Sequence, residues 1–513
     1  MITKTKIISN KEIFGVIQSA VNRMVDFIKD TFGPASNKVI IDRPTHCMIV
    51  DDGVQIGRDF QLPLPEENAI VKIIREVSGK TNDRVGDGTT GALIILQAII
   101  NEVARKRKID GRKIEIELKK GLEEAKKQLL SSVAKIKTKE ELKKTALISY
   151  DNEEIAEIVA NLYFKHGKDV VITVEKSPAM KTESVESEGL KIDRGYISPY
   201  MVTNPQRMEA EIEKPYILIT DLRLTEFGDI LPIMERLVKE NKRDLVIIAE
   251  NIEGSALATI VINKIKGEFN VVAINAPSSG KDRTVFLNDI ALMTGAKMFS
   301  SEKGDKLPKT IEEVNLDDLG KAAKFICKQN ESIIMGPKGQ KADIAYNISA
   351  LKQSIENEKN ENSKEQMKLR LARFTNKIAV IKVGAMTENE RTALKYKTED
   401  AVNSVRAAYK NGVVAGAGLS LARIKTSSEL LNEALKYPYR QLCENMGMDV
   451  APLGKDGEAL NVVTGKRGNY MEVGVMDPVD ILIAGVESAI SIASLLLTSS
   501  GMIVEYPKEH GEE

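Results

Sequence analysis

Residues 85–96 read Val-Gly-Asp-Gly-Thr-Thr-Gly-Ala-Leu-Ile-Ile-Leu, a glycine turn that opens directly into an apolar run. Gly86 and Gly88 let the backbone turn tightly and approach a ligand, Asp87 offers a hard oxygen to a cation, and Thr89 and Thr90 start a helix. Free N–H groups at a helix N-terminus attract anions, so the stretch suits a phosphate and the magnesium that accompanies it. Six residues alone fit an ordinary glycine turn with Thr89 as N-cap at least as well. The surrounding chain has to decide.

The sequence has 513 residues, 42% of them hydrophobic, which is material for about two to four domains rather than one core. Lys plus Arg equals Asp plus Glu at 74 each, so no excess charge points to nucleic acid or to an anionic membrane. Aromatic residues make up 4% and Trp is absent, which speaks against base-stacking platforms and carbohydrate sites. Cys47, Cys327 and Cys443 lie far apart, and His46, His166 and His510 have no ligand spacing, so neither a disulfide framework nor a zinc site is expected. The opening MITKTKIISNKEIF has no signal-peptide pattern. Ile481–Val504 is long and apolar, but Gly485, Glu487 and Gly501 interrupt it, so a buried helix running into a strand is expected rather than a membrane span. These features together predict a soluble, cytoplasmic protein.

Along the chain, Ser9 and Glu12 have capping-box spacing and open an amphipathic helix over 9–30, which Thr31-Phe32-Gly33-Pro34 stops. Two β-like runs, 38–41 and 48–50, end at Asp51-Asp52-Gly53, either a plain turn or a carboxylate delivered to a site. A helix over 66–78 runs into Gly79-Lys80-Thr81, which has the ending of a Walker A motif. Ile74 stands where that motif requires glycine, so it is rejected. Arg105-Lys106-Arg107-Lys108 reads as a solvated helix end. Residues 113–165 are expected to be helical, with a change of character at 131–139, followed by a strand over 170–174 and a polar stretch to Gly189. Strand-like runs at 216–220, 245–249, 271–274 and 297–300 alternate with helical runs at 227–240, 254–266 and 284–294, the rhythm of an α/β domain. A charged helical region over 347–373, a strand over 378–383 and a helix over 388–410 lead to a second glycine turn, Gly412 to Gly418.

VGDGTTGALIIL, TFGPASNKVIID, DDGVQIGRD, GYISPYMV, IIAENIEGSALATIVINKIKG, VIKVGAMTE, TEDAVNSVRAAYKNGVVAGAGLSL and LNVVTGKRGNYMEVGVMDP together resemble a GroEL-type (group I) chaperonin, in family order between residues 31 and 478. The resemblance implies a mainly α fold with an α/β part, a three-domain chaperonin subunit. Its helical equatorial ATPase domain would comprise 1–134 and 409–513, a small intermediate hinge domain 135–188 and 376–408, and an inserted α/β apical domain 189–375.

The same resemblance implies ATP, Mg2+ and K+ as cofactors. Thr31, Phe32, Gly33, Pro34 and Gly53 would border the phosphates, Asp87 would ligate magnesium, and Gly88, Thr89 and Thr90 would cradle phosphate oxygens. Asp52 and Asp400 would flank the γ-phosphate and position or activate water, chemistry that needs mainly placement and charge neutralisation. Gly416, Asn461 and Asp477 would hold the adenosine end. Taken singly, Asp400 reads as an exposed helix acid and Asp477 as an N-cap before Pro478.

Tyr196, Tyr200, Met201, Leu231, Met234, Leu257, Val261 and Ile262 have the spacing of buried core stripes, whereas the resemblance implies an exposed apolar groove for non-native polypeptide and for a GroES-type lid protein. It further implies a homo-oligomeric, seven-fold ring and a hinge at Gly189, with Asn376-Lys377 in place of the other hinge's glycine pair. Ala35-Ser36, Asp51, Gly91 and Ala417 depart from the family pattern, and 422–459 is shorter than usual. A ring-forming, nucleotide-binding peptide scaffold without turnover is the alternative.

Overall fold

The structure, a computed structural model, describes residues 4–34, 37–43, 46–50, 53–85, 88–105, 110–168, 170–205, 207–300, 314–358, 360–375, 377–450, 452–455 and 457–506. Contacts divide the chain into two units. Met1–Asp169, Val174–Glu183 and Ile381–Glu513 make the first, and Val170–Thr173 with Ser184–Val380, inserted into it, make the second.

The first unit begins with α1 (Asn10–Ile28), α2 (Gly53–Asp59), α3 (Pro65–Val85), α4 (Thr89–Ala104), α5 (Gly111–Ser131), α6 (Lys139–Ser149) and α7 (Glu153–His166). Most of the stripe expected on α1 is buried, although Phe27 is exposed, and the Glu12 carboxylate accepts from the Ser9 backbone N–H at 3.4 Å and from its hydroxyl at 3.1 Å. The second helix does not stop at Ser78 as expected but continues through Gly79-Lys80-Thr81 to Val85. One interior glycine costs about 1 kcal/mol, less than the burial of Ile70, Val71 and Ile74 supplies. The helical region expected over 113–165 is three helices, and the change of character expected at 131–139 is the gap between α5 and α6. Thr138 caps α6, its hydroxyl accepting from the Glu141 N–H at 3.2 Å.

Helix α4 is apolar on nearly every face and lies in the core, with Leu93, Ile95, Leu96 and Ile99 almost fully enclosed. The helix Val479–Leu497 is long and apolar enough to cross a membrane by composition, yet most of it is buried against α3, α4 and α5. It runs into the strand Met502–Tyr506, which pairs antiparallel with Lys4–Ile8. The span-like stretch is therefore a core helix followed by a strand. This two-stranded sheet is tied to α3 at Glu66, which accepts from the Tyr506 hydroxyl and, at 2.9 Å, from the Lys6 ammonium.

The second unit holds a parallel sheet ordered Asn270–Asn275, Asp244–Ala249, Tyr216–Thr220 and Met298–Phe299, with Gly320–Lys321 added antiparallel to Tyr216–Thr220. Leu231–Lys239, Gly254–Ile265 and Gly280–Thr294 are the helices of its crossovers. A second sheet runs Glu183–Ile192, Ser332–Met335, Lys324–Cys327 and Ala210–Glu213, each pair antiparallel. Its first strand falls where a polar stretch was expected, because residues 183–185 face solvent and leave no apolar alternation to read. The charged region 347–373 is two helices, Lys341–Asn357 and Glu361–Thr375. The second is anchored by Arg370, whose Nε and Nη2 donate to the buried Asp289 carboxylate at 3.0 and 2.7 Å.

Gly412 to Gly418 forms the strand Val413–Ala415 followed by a turn in which Ala417 takes a left-handed φ of 56°. An L-residue there carries strain of about 1–2 kcal/mol, and glycine gives back about 0.4–1 kcal/mol through its freer unfolded chain. Ala417→Gly is therefore expected to stabilise the protein by roughly 0.5–1 kcal/mol, read as a rise in the urea midpoint; a lowered midpoint would show the turn to be unstrained. A second expectation concerns acid. The Tyr506 hydroxyl, and after it the Lys6 ammonium, hold the Glu66 carboxyl at about 2 against the opposing effect of burial. Because the folded value lies below the ordinary 4.5, this contribution is complete above that pH and is lost as pH falls toward 2. The stability difference between wild type and Tyr506→Phe should be constant at neutral pH and shrink across that window in urea titrations.

Candidate functional site

Three loops of the first unit converge. After α1 a single 3-10 turn, Lys29–Thr31, leads into Phe32. The Thr31 hydroxyl is turned inward and donates to the Ile28 carbonyl at 2.8 Å, and Asn445 donates to the carbonyls of Lys29 and Phe32, both at 2.8 Å. Phe32 packs against the core. The second loop enters α2 at Gly53, where a Cβ would stand 2.2 Å from the Thr90 Oγ1 and 3.3 Å from Ile28. A side chain there would have to push the Thr90 hydroxyl aside. The third loop enters α4 at Gly88, in the left-handed region with φ of 85° and lying against Ile481. A Cβ added at Gly91 would meet the Phe32 ring at 3.8 Å, an ordinary contact, so packing does not require glycine at this position.

Among the described residues, the N-cap of α4 is Gly88, which has no side chain to cap it. A helix start of this kind suits an anion. Thr89 is buried, and among the described residues its hydroxyl has no hydrogen-bond partner. An orphaned buried hydroxyl, a glycine cradle and an uncapped helix start fit a bound phosphate chain. Asp52 and Asp87 directly precede Gly53 and Gly88 but lie outside the described residues, as do Ala35, Ser36, Asp51, Gly86 and Asn376.

On the far side of Ile481, the strands Val413–Ala415 and Met476–Pro478 pair antiparallel, Val414 opposite Asp477. A Cβ at Gly416 would stand 2.9 Å from the Asp477 Oδ1, so these two expected residues are adjacent. Asn461 closes its own turn. Its amide donates to the Val473 carbonyl at 3.0 Å, and its side-chain oxygen accepts from the N–H groups of Val463 and Thr464 at 3.1 and 3.0 Å. Asp400 is half-buried on the helix Glu388–Asn411, which packs against α3 and Val479–Leu497. Pro34 is exposed at the end of its loop. Sequence reasoning missed Asn445 and Ile481, whose sequence distance from the loops they hold leaves no spacing to read.

In the second unit, the expected apolar surface is corrected at three positions. Tyr196, Met201 and Met234 are core residues, Met201 with its sulfur accepting from the Ala273 N–H at 3.3 Å. Leu231, Leu257 and Val261 are half-buried, while Tyr200 and Ile262 are exposed. Phe227, Val238 and Ile265, not singled out from the sequence, are exposed as well. Gly189 sits inside the strand Glu183–Ile192, where a Cβ would collide with Ile378 at 1.9 Å, so close packing accounts for the glycine. Cys327 is a buried thiol pushed up to about 12 by burial, and Cys443 is also buried and unpaired.

The chain matches the model of the TCP-1/cpn60 chaperonin family over residues 24–507. Among solved structures it is similar to the chaperonin gp146 from the bacteriophage EL 2 (Pseudomonas aeruginosa), crystallised in the presence of ATP-BeFx. In crystal form II that protein aligns at 19% identity and a TM-score of 0.67, covering 98% of this chain and 99% of that one. Crystal form I gives the same identity and coverage with a TM-score of 0.62. With the family matched over nearly its whole length and the chaperonin fold shared end to end, the chain belongs to the TCP-1/cpn60 chaperonin family.

Proposed function

We propose that this chaperonin is an ATPase that captures non-native polypeptides and assists their folding in a ring chamber. The convergence of Phe32, Gly53 and Gly88–Gly91 on the uncapped start of α4 carries the reading. The gp146 crystals were grown with a nucleotide analogue, which is consistent with it.

In this reading Thr31, Phe32, Gly33, Pro34 and Gly53 border the phosphates, and the N–H groups of Gly88, Thr89 and Thr90 bind phosphate oxygens. Asp87 holds Mg2+, which neutralises phosphate charge when bound, and K+ joins the site. Asp52 and Asp400 orient the attacking water and accept its proton. Gly416 and Asp477 lie beside the adenosine. Asn461 joins them through its backbone, its side chain being engaged in its own turn.

Clients bind the apolar surface of the second unit at Tyr200, Leu231, Leu257, Val261 and Ile262, because burying such surface is favourable by about 25 cal/mol per Å2 regardless of client sequence. Nucleotide binding moves the intermediate segments 135–188 and 376–408, with Gly189 as a hinge, and changes what that surface presents. The assembly is a homo-oligomeric seven-fold ring in the cytoplasm, with a GroES-type lid protein as a partner. Ile7 and Ile503, directly opposite each other on the terminal two-stranded sheet and both exposed, support assembly, since a neighbouring copy would cover them.

Two measurements test these roles. Wild type should release phosphate from ATP, and Asp400→Ala should slow release about 10–100-fold while nucleotide still binds. Equal, negligible release from both proteins would favour the peptide scaffold without turnover, to which the missing hydroxyl at Gly91 also points. Leu257→Glu should abolish capture of an unfolded client in a light-scattering assay and leave the ATPase unchanged; undiminished capture would assign the helix Gly254–Ile265 to the core alone.

A further inference from the structure

The short helix α2 is held at its far end by an arginine that none of the proposed catalytic roles uses. Seven residues cannot sustain a helix in water, so α2 depends on tertiary anchors. Gly53 at its start lies against Thr90, Ile56 is buried in the core, and a Cβ at Gly57 would touch Met24 at 3.4 Å. At its end the Arg58 carbonyl accepts from the Arg75 Nη1 at 2.5 Å. A guanidinium at a helix C-terminus complements the helix dipole and makes a charge-assisted hydrogen bond. Among the described residues Arg75 has no carboxylate partner, so this carbonyl is where its charge is used. Arg75, Arg58, Gly53 and Gly57 line one cleft with Thr89, whose buried hydroxyl has no partner among the described residues.

We propose that Arg75 is a positioning residue for phosphoryl transfer, clamping α2 so that Gly53, to which Asp52 is joined in the chain, keeps its place against Thr90; this rests on the ATPase reading. A Cβ built at Gly53 would stand 2.2 Å from the Thr90 hydroxyl, so the backbone at the start of α2 already lies close against the start of α4. A small displacement of α2 is therefore passed to the carboxylate joined to its first residue. Misplacing a reacting group by about 1 Å costs up to 100-fold in rate. Phosphate binding by the N–H groups of α4 does not pass through α2 and is left intact.

The test compares wild type, Arg75→Met, which keeps the apolar stem, and Arg75→Lys, whose ammonium still reaches a carbonyl. Fluorescent-nucleotide titration, single-turnover phosphate release and hydrogen exchange of amides 53–59 are read on each full-length protein. Arg75→Met should hydrolyse about 10-fold more slowly, bind nucleotide within about 3-fold of wild type and exchange faster across α2. Arg75→Lys should recover most of the rate. Unchanged turnover in Arg75→Met, an affinity loss as large as the rate loss, or a lysine variant no better than methionine would each overturn the clamp. Should Arg75→Met fail to fold, the lysine variant decides: slow turnover with normal exchange across α2 refutes the proposal, and near-normal turnover with normal exchange supports it. Absence of phosphate release from wild type would instead overturn the ATPase reading, and this proposal with it.

Discussion

Helix α4 is buried on nearly all sides and begins without a side-chain cap. Those two facts constrain the first unit. A helix apolar all round must lie at the centre of a core, and a helix N-terminus there still carries N–H groups that need acceptors. Gly88, in the left-handed region, ends the approach to the helix without supplying a side-chain oxygen. A phosphate chain is a group whose charge and oxygens match those donors. The core fixes the axis of α4, and that axis directs its open end at the surrounding loops.

Each of those loops is seated by a residue remote in sequence. Asn445 holds the carbonyls of the turn after α1, Ile481 lies against Gly88, and Arg75 holds the end of α2. The site is thus made by packing among α1, α2, α3, α4 and Val479–Leu497, helices drawn from both ends of the chain. Closure of the chain ends matters to the same helix set, because Lys6 and Tyr506 both reach Glu66 in the first turn of α3.

Local patterns carried the sequence reading where one face of an element meets the core and the other meets water. The stripe on α1, the alternating strands and helices of the second unit and the helix Val479–Leu497 running into a strand were legible for that reason. The strand Glu183–Ile192 was not, because its first half is solvated and its pairing supplies the regularity that its side chains lack. Nor could periodicity separate surface from core on the helices Leu231–Lys239 and Gly254–Ile265. Met234 belongs to the same stripe as Ile233 and Leu237 and is buried with them, whereas Ile262 and Ile265, two and five residues beyond the buried Ile260, lie on the other side of their helix and are exposed. The phosphate loop was legible as a motif, but Asn445 and Arg75 act on backbone carbonyls, and a carbonyl leaves no mark on the spacing of side chains.

Two of the departures, at Gly91 and Ala417, differ in physical cost. At Gly91 the neighbouring Phe32 ring leaves room for a Cβ, so loss of a threonine there sacrifices a hydroxyl without relieving any clash. Glycine inside the first turn of α4 also costs helix stability, about 1 kcal/mol relative to alanine. At Ala417 the balance is reversed: the backbone keeps the left-handed turn beside Gly416 and Asp477 even though the residue there is strained by it. A turn that persists against its own residue is imposed by its surroundings, here the pairing of Val413–Ala415 with Met476–Pro478 and the Gly416 N–H bonded to the Val475 carbonyl at 2.9 Å. The frame around the expected adenosine end is therefore held by strand pairing, which tolerates drift in the residues it carries. The phosphate end relies on helix starts and glycine contacts, where a Cβ at Gly53 would force the Thr90 side chain to rotate away. At the adenosine end a Cβ at Gly416 would meet the Met476 backbone at 2.9 Å, so drift there is confined to positions such as Ala417, whose strain the strand pairing holds in place.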